Sequence, residues 1–193
     1  MRRRLILPFM PHASPHKTVD DYLALDDDQC RTELVDGEFV VSPAPEVRHQ
    51  AAVIMFAAIL IRQVKPLGLG WVFAGPLDVV LSPQSVVHPD VVFVATANFS
   101  RLAKRLEGPP DLAVEFLSPS NPENDLDRKM KLYLKHGVPQ YWIGDVDAKT
   151  IRVLENGGDR WIERGTFGPE SVIRPAGMPG VEVSVAEVYS FPG

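Results

Sequence analysis

The chain has 193 residues, of which 45% are hydrophobic and 23% are charged, and its formal net charge is -5. This length suits one globular domain with a sizeable core. The negative charge excludes the overall basic character of general nucleic-acid binders, so any such contact would need a local basic surface. Cys30 is the only cysteine, which excludes an intramolecular disulfide and a cysteine-rich zinc site and is typical of a reducing cytoplasm.

The first residues, MRRRLILPFMP, combine a basic start with a short apolar run. Pro8 and Pro11 interrupt that run and no small-residue cleavage pattern follows it, so a signal peptide is not indicated. We interpret residues 1–17 as a flexible leader that precedes a single domain formed by residues 18–193. No apolar segment looks long enough to span a bilayer, so we expect a cytoplasmic protein without membrane contact.

A short helix and a hairpin follow the leader. Thr18 and Asp21 have the spacing of a capping box, which predicts a helix through Leu25. Residues Glu33–Val41 place β-branched runs on both sides of Asp36-Gly37. An Asp-Gly pair between such runs is a strong hairpin signal, so we predict two antiparallel strands here.

Two longer helices and several strands make up the rest of the pattern. Apolar residues three and four positions apart predict a helix over residues 46–65 and another over Asn121–His136. Apolar runs predict strands at Trp71–Ala74, Leu77–Leu81, Asp90–Val94, Leu112–Leu117, Gln140–Asp145, Ile151–Leu154 and Trp161–Glu163. This order predicts an α/β (α+β) fold, with a mixed central sheet flanked by helices and an added N-terminal hairpin.

Two acidic residues stand out in the predicted strands. Glu115 interrupts the apolar run Leu112–Leu117, and Asp90 opens another run directly after Pro89. An unpaired buried carboxylate is strongly disfavoured, so Glu115 requires polar partners or a metal ion. If the strand that begins at Asp90 lies beside it, the two carboxylates can supply oxygen ligands to one divalent cation.

A lysine on the second long helix is placed to join them. The apolar stripe of that helix consists of Leu126, Met130, Tyr133 and Leu134. Lys131 and Lys135 fall on the opposite side, whereas Lys129 lies at the flank of the stripe, in line with Asp125 and Tyr133 at four-residue spacing. Lys129 can therefore reach over the sheet edge toward Asp90 and Glu115.

These residue types suit the hydrolysis of a phosphodiester. Mg²⁺ or Mn²⁺ prefers oxygen ligands, and a bound ion lowers the pKa of its water and offsets charge on the phosphorus. A lysine can orient the attacking water or stabilise the developing charge. A second interpretation stays open, in which Asp90 caps its strand and Glu115 forms a buried ion pair with Lys129.

Two histidines and one acid are further candidates. His49, at the start of the first long helix, can serve as an accessory acid/base or phosphate contact, or it makes only local hydrogen bonds. Asp78 is either a third acid near the metal or an edge-strand carboxylate. His88 lies two residues before Asp90, but we expect it to be exposed because it falls at a loop boundary.

Four other residues complete the candidate set. Glu33 and Glu46 can each supply an additional acid, or they are a strand-edge charge and a helix-start charge favoured by the helix dipole. Asp125 is most simply the N-terminal acid of its helix, paired with Lys129. We expect Tyr133 to pack with its hydroxyl at the rim of the site.

The ordered motifs resemble a known superfamily. Residues 89–90 (PD), 111–120 (DLAVEFLSPS) and the D-x-x-x-K-x-x-x-Y pattern at 125–133 resemble the PD-(D/E)XK nucleases. The nearest branch is the Uma-two family of restriction-endonuclease-like proteins. ELVDGE, SPAP, RHQ and GVPQYWI, which begin at residues 33, 42, 48 and 137, are similar to that family too. The resemblance extends from about residue 18 to residue 154.

The resemblance implies a restriction-endonuclease-like fold with a nuclease core at about residues 46–146. It also implies a metal-dependent DNA endonuclease that binds Mg²⁺ or Mn²⁺ through Asp90 and Glu115. The superfamily usually places its lysine two residues after the second acid, where this chain has Leu117. In the resembling branch the lysine lies on the following helix, which supports Lys129 as the catalytic lysine.

Two other functions remain open at this stage. The acidic net charge and the lack of a separate DNA-reading element suit a non-catalytic nucleic-acid-binding or assembly module with the same fold. A compact metal site also suits a small-molecule phosphoesterase. Basic residues around the acids would favour DNA, whereas an acidic rim would favour the alternatives. Because enzymes that cut both strands are often dimers, we expect a homodimer.

Overall fold

The computed structural model of the protein describes residues 16–25, 31–117 and 122–191, without the side chains of residues 31 and 122–125. Cys30 and all but the last two residues of the predicted leader lie outside this part. The helices are α1 (Val19–Leu23), α2 (Val47–Val64), α3 (Pro122–Lys135) and α4 (Val185–Val188), with a 3-10 helix at Thr96–Arg101. The strands are β1 (Arg31–Val35), β2 (Glu38–Ser42), β3 (Gly70–Ala74), β4 (Val79–Ser82), β5 (Ser85–Val87), β6 (Val91–Ala95), β7 (Leu106–Glu107), β8 (Leu112–Phe116), β9 (Gln140–Asp145), β10 (Thr150–Asn156), β11 (Trp161–Phe167), β12 (Val172–Ile173) and β13 (Val183–Ser184).

A six-stranded sheet forms the centre of the protein, with the strand order β11-β10-β9-β8-β6-β3. Its neighbouring strands are antiparallel except β8 and β9, which run parallel. Helix α3 connects this parallel pair, as a crossover requires. The predicted mixed sheet flanked by helices is therefore confirmed.

A second sheet has five strands in the order β2-β1-β5-β4-β7. The predicted hairpin is its first part, and Asp36 and Gly37 take the positive φ values of 47° and 83° that a tight hairpin turn requires. Strand β1 also pairs with β5, where Leu34 lies opposite Val86. The hairpin is thus joined to the domain through β5, a three-residue strand too short to show a periodic pattern.

Helix α2 lies on the central sheet and buries Phe56 and Leu60 completely. The residues whose spacing predicted this helix include Val47, Ile54 and Ile61, and these lie on its exposed side. By length and composition α2 could span a membrane, so the expectation that no segment is long enough was wrong. The helix is apolar on most sides, and its buried side packs in the core as in many globular proteins.

The two faces of β8 contact different cores. Leu112, Val114 and Phe116 pack on the side of α2, whereas Ala113 packs on the side of α3 and the second sheet. This confirms the predicted alternation. Glu115 shares the side of Ala113, so its carboxylate points toward α3 and β1.

Candidate active site

Asp90 and Glu115 come together because β6 and β8 are antiparallel neighbours. Val91 lies opposite Val114, so Asp90 and Glu115 occupy the next facing positions at the end of the pair. Asp90 Oδ2 accepts a hydrogen bond from the Phe116 amide at 2.8 Å. Both carboxyl groups are buried, with exposures of 6% and 8%.

Helix α3 brings a lysine and a tyrosine to the Glu115 carboxylate. Lys129 Nζ lies 3.1 Å from Glu115 Oε1, and the Tyr133 hydroxyl donates to the same oxygen at 2.8 Å. The two donors are four residues apart and so share one side of the helix. The predicted approach of Lys129 to Glu115 is observed. Tyr133, expected at the rim, is completely buried, and its ring packs at a tilt against that of Tyr141.

Strand β1 adds a third buried carboxylate. Glu33 Oε1 lies 3.4 Å from Lys129 Nζ and accepts a hydrogen bond from the His88 amide at 2.7 Å. Its other oxygen, Oε2, is buried and has no hydrogen-bond partner among the described residues. Glu33 is therefore part of the site, and the second sheet contributes to it directly.

Helix α2 places a histidine between two oxygen atoms of the site. His49 Nε2 lies 3.1 Å from Asp90 Oδ2 and 3.1 Å from the Phe116 carbonyl oxygen. The imidazole is buried and packs edge-on against the Phe116 ring. His49 therefore contacts a candidate site residue, and its role as an accessory acid/base or phosphate contact stays a prediction. The Phe116 main chain could not be identified from the sequence because its role depends on no side chain.

The site holds three buried carboxyl groups, those of Glu33, Asp90 and Glu115. The pKa of Glu115 is raised to about 8, because burial and the charges of Asp90 and Glu33 raise it by more than Lys129 and the Tyr133 hydrogen bond lower it. Burial and the neighbouring Glu115 charge also raise the pKa of Tyr133 well above its ordinary value. Carboxylates crowded in this way favour a bound proton or a bound cation.

The residue types of this site are those that would bind a divalent metal ion through oxygen ligands. In the described part of the chain, no group of three His, Cys, Asp or Glu side chains is arranged to enclose an ion. Mg²⁺ rarely needs such a cage, because one or two carboxylates, several waters and a substrate phosphate commonly complete its coordination. Asp90 and Glu115 are two carboxylates of this kind, and Glu33 Oε2 has no hydrogen-bond partner among the described residues.

The remaining candidates lie elsewhere. Asp78 Oδ1 accepts from the Tyr22 hydroxyl at 3.0 Å and contacts His88 Nε2 at 2.9 Å, in a separate cluster. The His88 side chain is only 9% exposed, so the expectation that it is exposed was wrong. Glu46 is the exposed N-cap residue of α2 and makes no side-chain capping hydrogen bond. The side chain of Asp125 is outside the described residues.

The chain matches one family model and a solved structure. The family model is Uma2, described as "Putative restriction endonuclease", and it matches residues 19–186. The solved structure is that of a putative nuclease belonging to DUF820 from Anabaena variabilis ATCC 29413, with 21% sequence identity and a TM-score of 0.76. The similarity covers 90% of this chain and 97% of that one. No curated protein matches.

Proposed function

Because the chain belongs to the Uma2 family, described as putative restriction endonucleases, we propose that it is a metal-dependent endonuclease that hydrolyses DNA phosphodiester bonds. One observation carries the proposal. Asp90 and Glu115 occupy facing positions on the neighbouring strand segments, and Lys129 of α3 lies 3.1 Å from Glu115, so three segments contribute to one buried site. Neighbouring carboxylates with a lysine are the residue types that phosphodiester hydrolysis needs.

Asp90 and Glu115 would hold Mg²⁺ or Mn²⁺ in this proposal. Such an ion lowers the pKa of a bound water and offsets the charge that develops on the phosphoryl oxygens. Lys129 Nζ, already 3.1 Å from Glu115, orients the attacking water and stabilises the same developing charge. Its ammonium group remains between Glu115 and Glu33, which restricts where its N–H bonds point.

The surrounding groups fix the positions of these residues. The Tyr133 hydroxyl donates to Glu115 and holds one carboxylate rotamer. His49 Nε2 and the Phe116 amide both contact Asp90 Oδ2, so they hold the second carboxylate. Because each ligand is held by at least one other group, the site needs little rearrangement before reaction.

A cytoplasmic homodimer is also part of the proposal. The exposed side of α2 carries Val47, Ile54 and Ile61 at seven-residue spacing, and Trp71 is 46% exposed on the edge strand β3. An apolar helix face beside an open strand edge suits contact between two copies of the chain. Sedimentation of the wild-type protein and of Ile54→Asp tests this part, and we expect the substitution to yield monomers.

Plasmid cleavage tests the activity. We expect supercoiled DNA to be nicked or linearised with Mg²⁺ or Mn²⁺, and cleavage to disappear with EDTA or in Glu115→Gln. The matched control is Asp159→Asn, which neutralises an exposed carboxylate in the turn between β10 and β11 and should retain full activity. A folded wild-type protein that cleaves no DNA with either metal would refute the nuclease proposal.

A further inference from the structure

Several lysines and arginines at the surface of this acidic protein have acidic partners. The ion pairs are Arg62–Glu187, Arg105–Glu107, Arg128–Glu38, Lys135–Asp36, Arg152–Glu163, Arg164–Glu155 and Arg174–Glu182. The side chains of Arg48 and Lys149 form no hydrogen bond or ion pair with the described residues, as is also true of the exposed Lys65, Lys104, Lys131 and Arg160. Arg48 and Lys149 are both exposed and both line the same cleft.

That cleft lies between the start of α2, the turn after β9 and helix α4. Ala52, Val146 and Val188 form its apolar wall. Two aromatic residues complete it: Tyr189, which is buried and donates to the Thr150 carbonyl oxygen at 2.7 Å, and Phe191, which is 44% exposed. The cleft therefore combines two cations without acidic partners with an accessible aromatic ring.

The cleft lies next to the candidate active site. Arg48 directly precedes His49, whose Nε2 contacts Asp90 Oδ2 at 3.1 Å. The ring of Phe116 lies between the two regions, with its centroid 6.1 Å from that of His49 and 6.3 Å from that of Tyr189. Because β8 and β9 are parallel neighbours, the ends of these strands bring the site and the cleft to the same edge of the sheet.

We propose that this cleft binds a nucleotide of the DNA strand next to the bond that is cleaved. Arg48 and Lys149 bind its phosphate group, and its base stacks on Phe191. The inference rests on the proposed nuclease function, and it adds a substrate contact that lies outside the Asp90–Glu115–Lys129 site.

The chemistry of the cleft suits a nucleotide better than a simple anion. An arginine binds phosphate oxygens with two parallel N–H bonds, and a lysine adds a mobile point charge. The apolar wall and Phe191 add a stacking surface, which every base can use whatever its sequence. Two acids lie at this turn: Asp145 of β9, whose carboxylate accepts a hydrogen bond from the Ala148 amide at 2.8 Å, and the exposed Asp147. Neither of them lines the cleft.

Binding can be measured separately from cleavage. The probe is a fluorescent single-stranded oligonucleotide of about 12 nucleotides, titrated in Mg²⁺ with protein that carries Glu115→Gln. We expect the added pair Arg48→Ala/Lys149→Ala to weaken binding roughly 10- to 30-fold near 0.1 M salt, and to lower the salt-dependence slope by about 1.4. Lys131→Ala/Arg160→Ala, which removes the same charge from two exposed residues outside the cleft, should change both quantities little.

Stacking has its own test. Phe191→Ala should weaken binding by roughly fivefold or more, and Phe191→Tyr should retain affinity. An oligonucleotide with abasic positions should bind wild-type and Phe191→Ala protein equally. Equal losses in the cleft and control double variants, or no binding in the Glu115→Gln background, would overturn the inference.

The two proposals can fail separately. If the cleft variants lose oligonucleotide binding but wild-type protein cleaves no DNA, the cleft stands as a nucleotide site and the nuclease proposal fails. If wild-type protein cleaves DNA, Glu115→Gln does not, and Arg48→Ala/Lys149→Ala binds normally, the nuclease proposal stands and the cleft inference is wrong.

Discussion

Two histidine–aspartate pairs, one buried and one partly buried, have similar donor–acceptor distances but different surroundings. His49 Nε2 lies 3.1 Å from Asp90, and His88 Nε2 lies 2.9 Å from Asp78. In both histidines Nδ1 is buried and has no hydrogen-bond partner among the described residues. The geometry of the pair alone therefore does not indicate its function, which depends on the residues around each pair.

The neighbours of the His88 pair complete a small cluster. The Tyr22 hydroxyl lies 3.0 Å from Asp78 Oδ1 and 3.0 Å from His88 Nε2, so α1 is attached to the second sheet. Around the His49 pair, by contrast, burial and the charges of Asp90 and Glu33 raise the pKa of the neighbouring Glu115. Crowded acids of this kind reduce stability and are typical of functional sites, whereas in the His88 cluster one carboxylate oxygen, Asp78 Oδ1, has both Tyr22 and His88 as partners.

The largest expected difference between the two regions is in activity. Asp90→Asn should lower DNA cleavage by roughly 1,000-fold or more, because it weakens metal binding and the stabilisation of the transition state. Asp78→Asn should leave cleavage within about fivefold of wild type, since Asp78 contacts neither site carboxylate. Single-turnover cleavage rates, with circular dichroism as a check of folding, measure both. A comparable loss in Asp78→Asn would show that the two clusters act together.

The second difference concerns pH. The unfolded chain releases the Glu115 proton near pH 4.5, whereas the folded protein without metal holds it until about pH 8. The folded state therefore binds more protons in this window, and its stability falls as pH rises. Each pKa unit of difference corresponds to about 1.4 kcal/mol, so the loss between pH 5 and pH 8 should reach a few kcal/mol.

Urea unfolding in EDTA at several pH values measures this loss. Glu115→Gln should abolish most of the fall in unfolding free energy, because it removes the titrating group. Asp78→Asn should keep the fall unchanged. If wild-type protein and Glu115→Gln showed the same pH dependence, Glu115 would titrate normally and the site would be less crowded than its burial indicates.

Much of this site could be predicted because its main residues lie in elements with a clear period. Glu115 is an acid in an apolar strand, and Lys129 lies four residues before Tyr133, on the same side of the helix. The positions of Glu33 and His88 were harder to predict, because both result from contacts between segments that are distant in sequence. Glu33 reaches Lys129 because β1 pairs with the very short β5, and His88 is buried because Tyr22 of α1 packs on it. Local periodicity carries no information about such long-range pairing.

Metal binding should also separate the regions. Mn²⁺ at about 100 times its Kd should stabilise the folded protein by about 2.7 kcal/mol. For a chain of this length, that raises Tm by roughly 5–10 °C. Asp78→Asn should show the full increase, and Glu115→Gln should show little of it. A thermal shift of equal size in Glu115→Gln would place the ion elsewhere on the protein.

The smallest expected effect is that of Tyr22→Phe, which removes one hydroxyl from the His88 cluster. Burial and Asp78 raise the pKa of Tyr22, so the hydroxyl stays protonated and donates to Asp78 across the physiological range. Its loss should lower the unfolding free energy by about 1–2 kcal/mol, because Asp78 and His88 still contact each other. The Mn²⁺ affinity and the cleavage rate should stay within about twofold of wild type.

One chain of contacts connects the two regions and would transmit a larger effect of Tyr22→Phe. The His88 amide donates to Glu33 Oε1 at 2.7 Å, and Glu33 lies 3.4 Å from Lys129. A change in Mn²⁺ affinity in Tyr22→Phe that disappears in the Glu33→Gln background would show that this contact couples α1 to the site, and the separation between the two regions would then be incomplete.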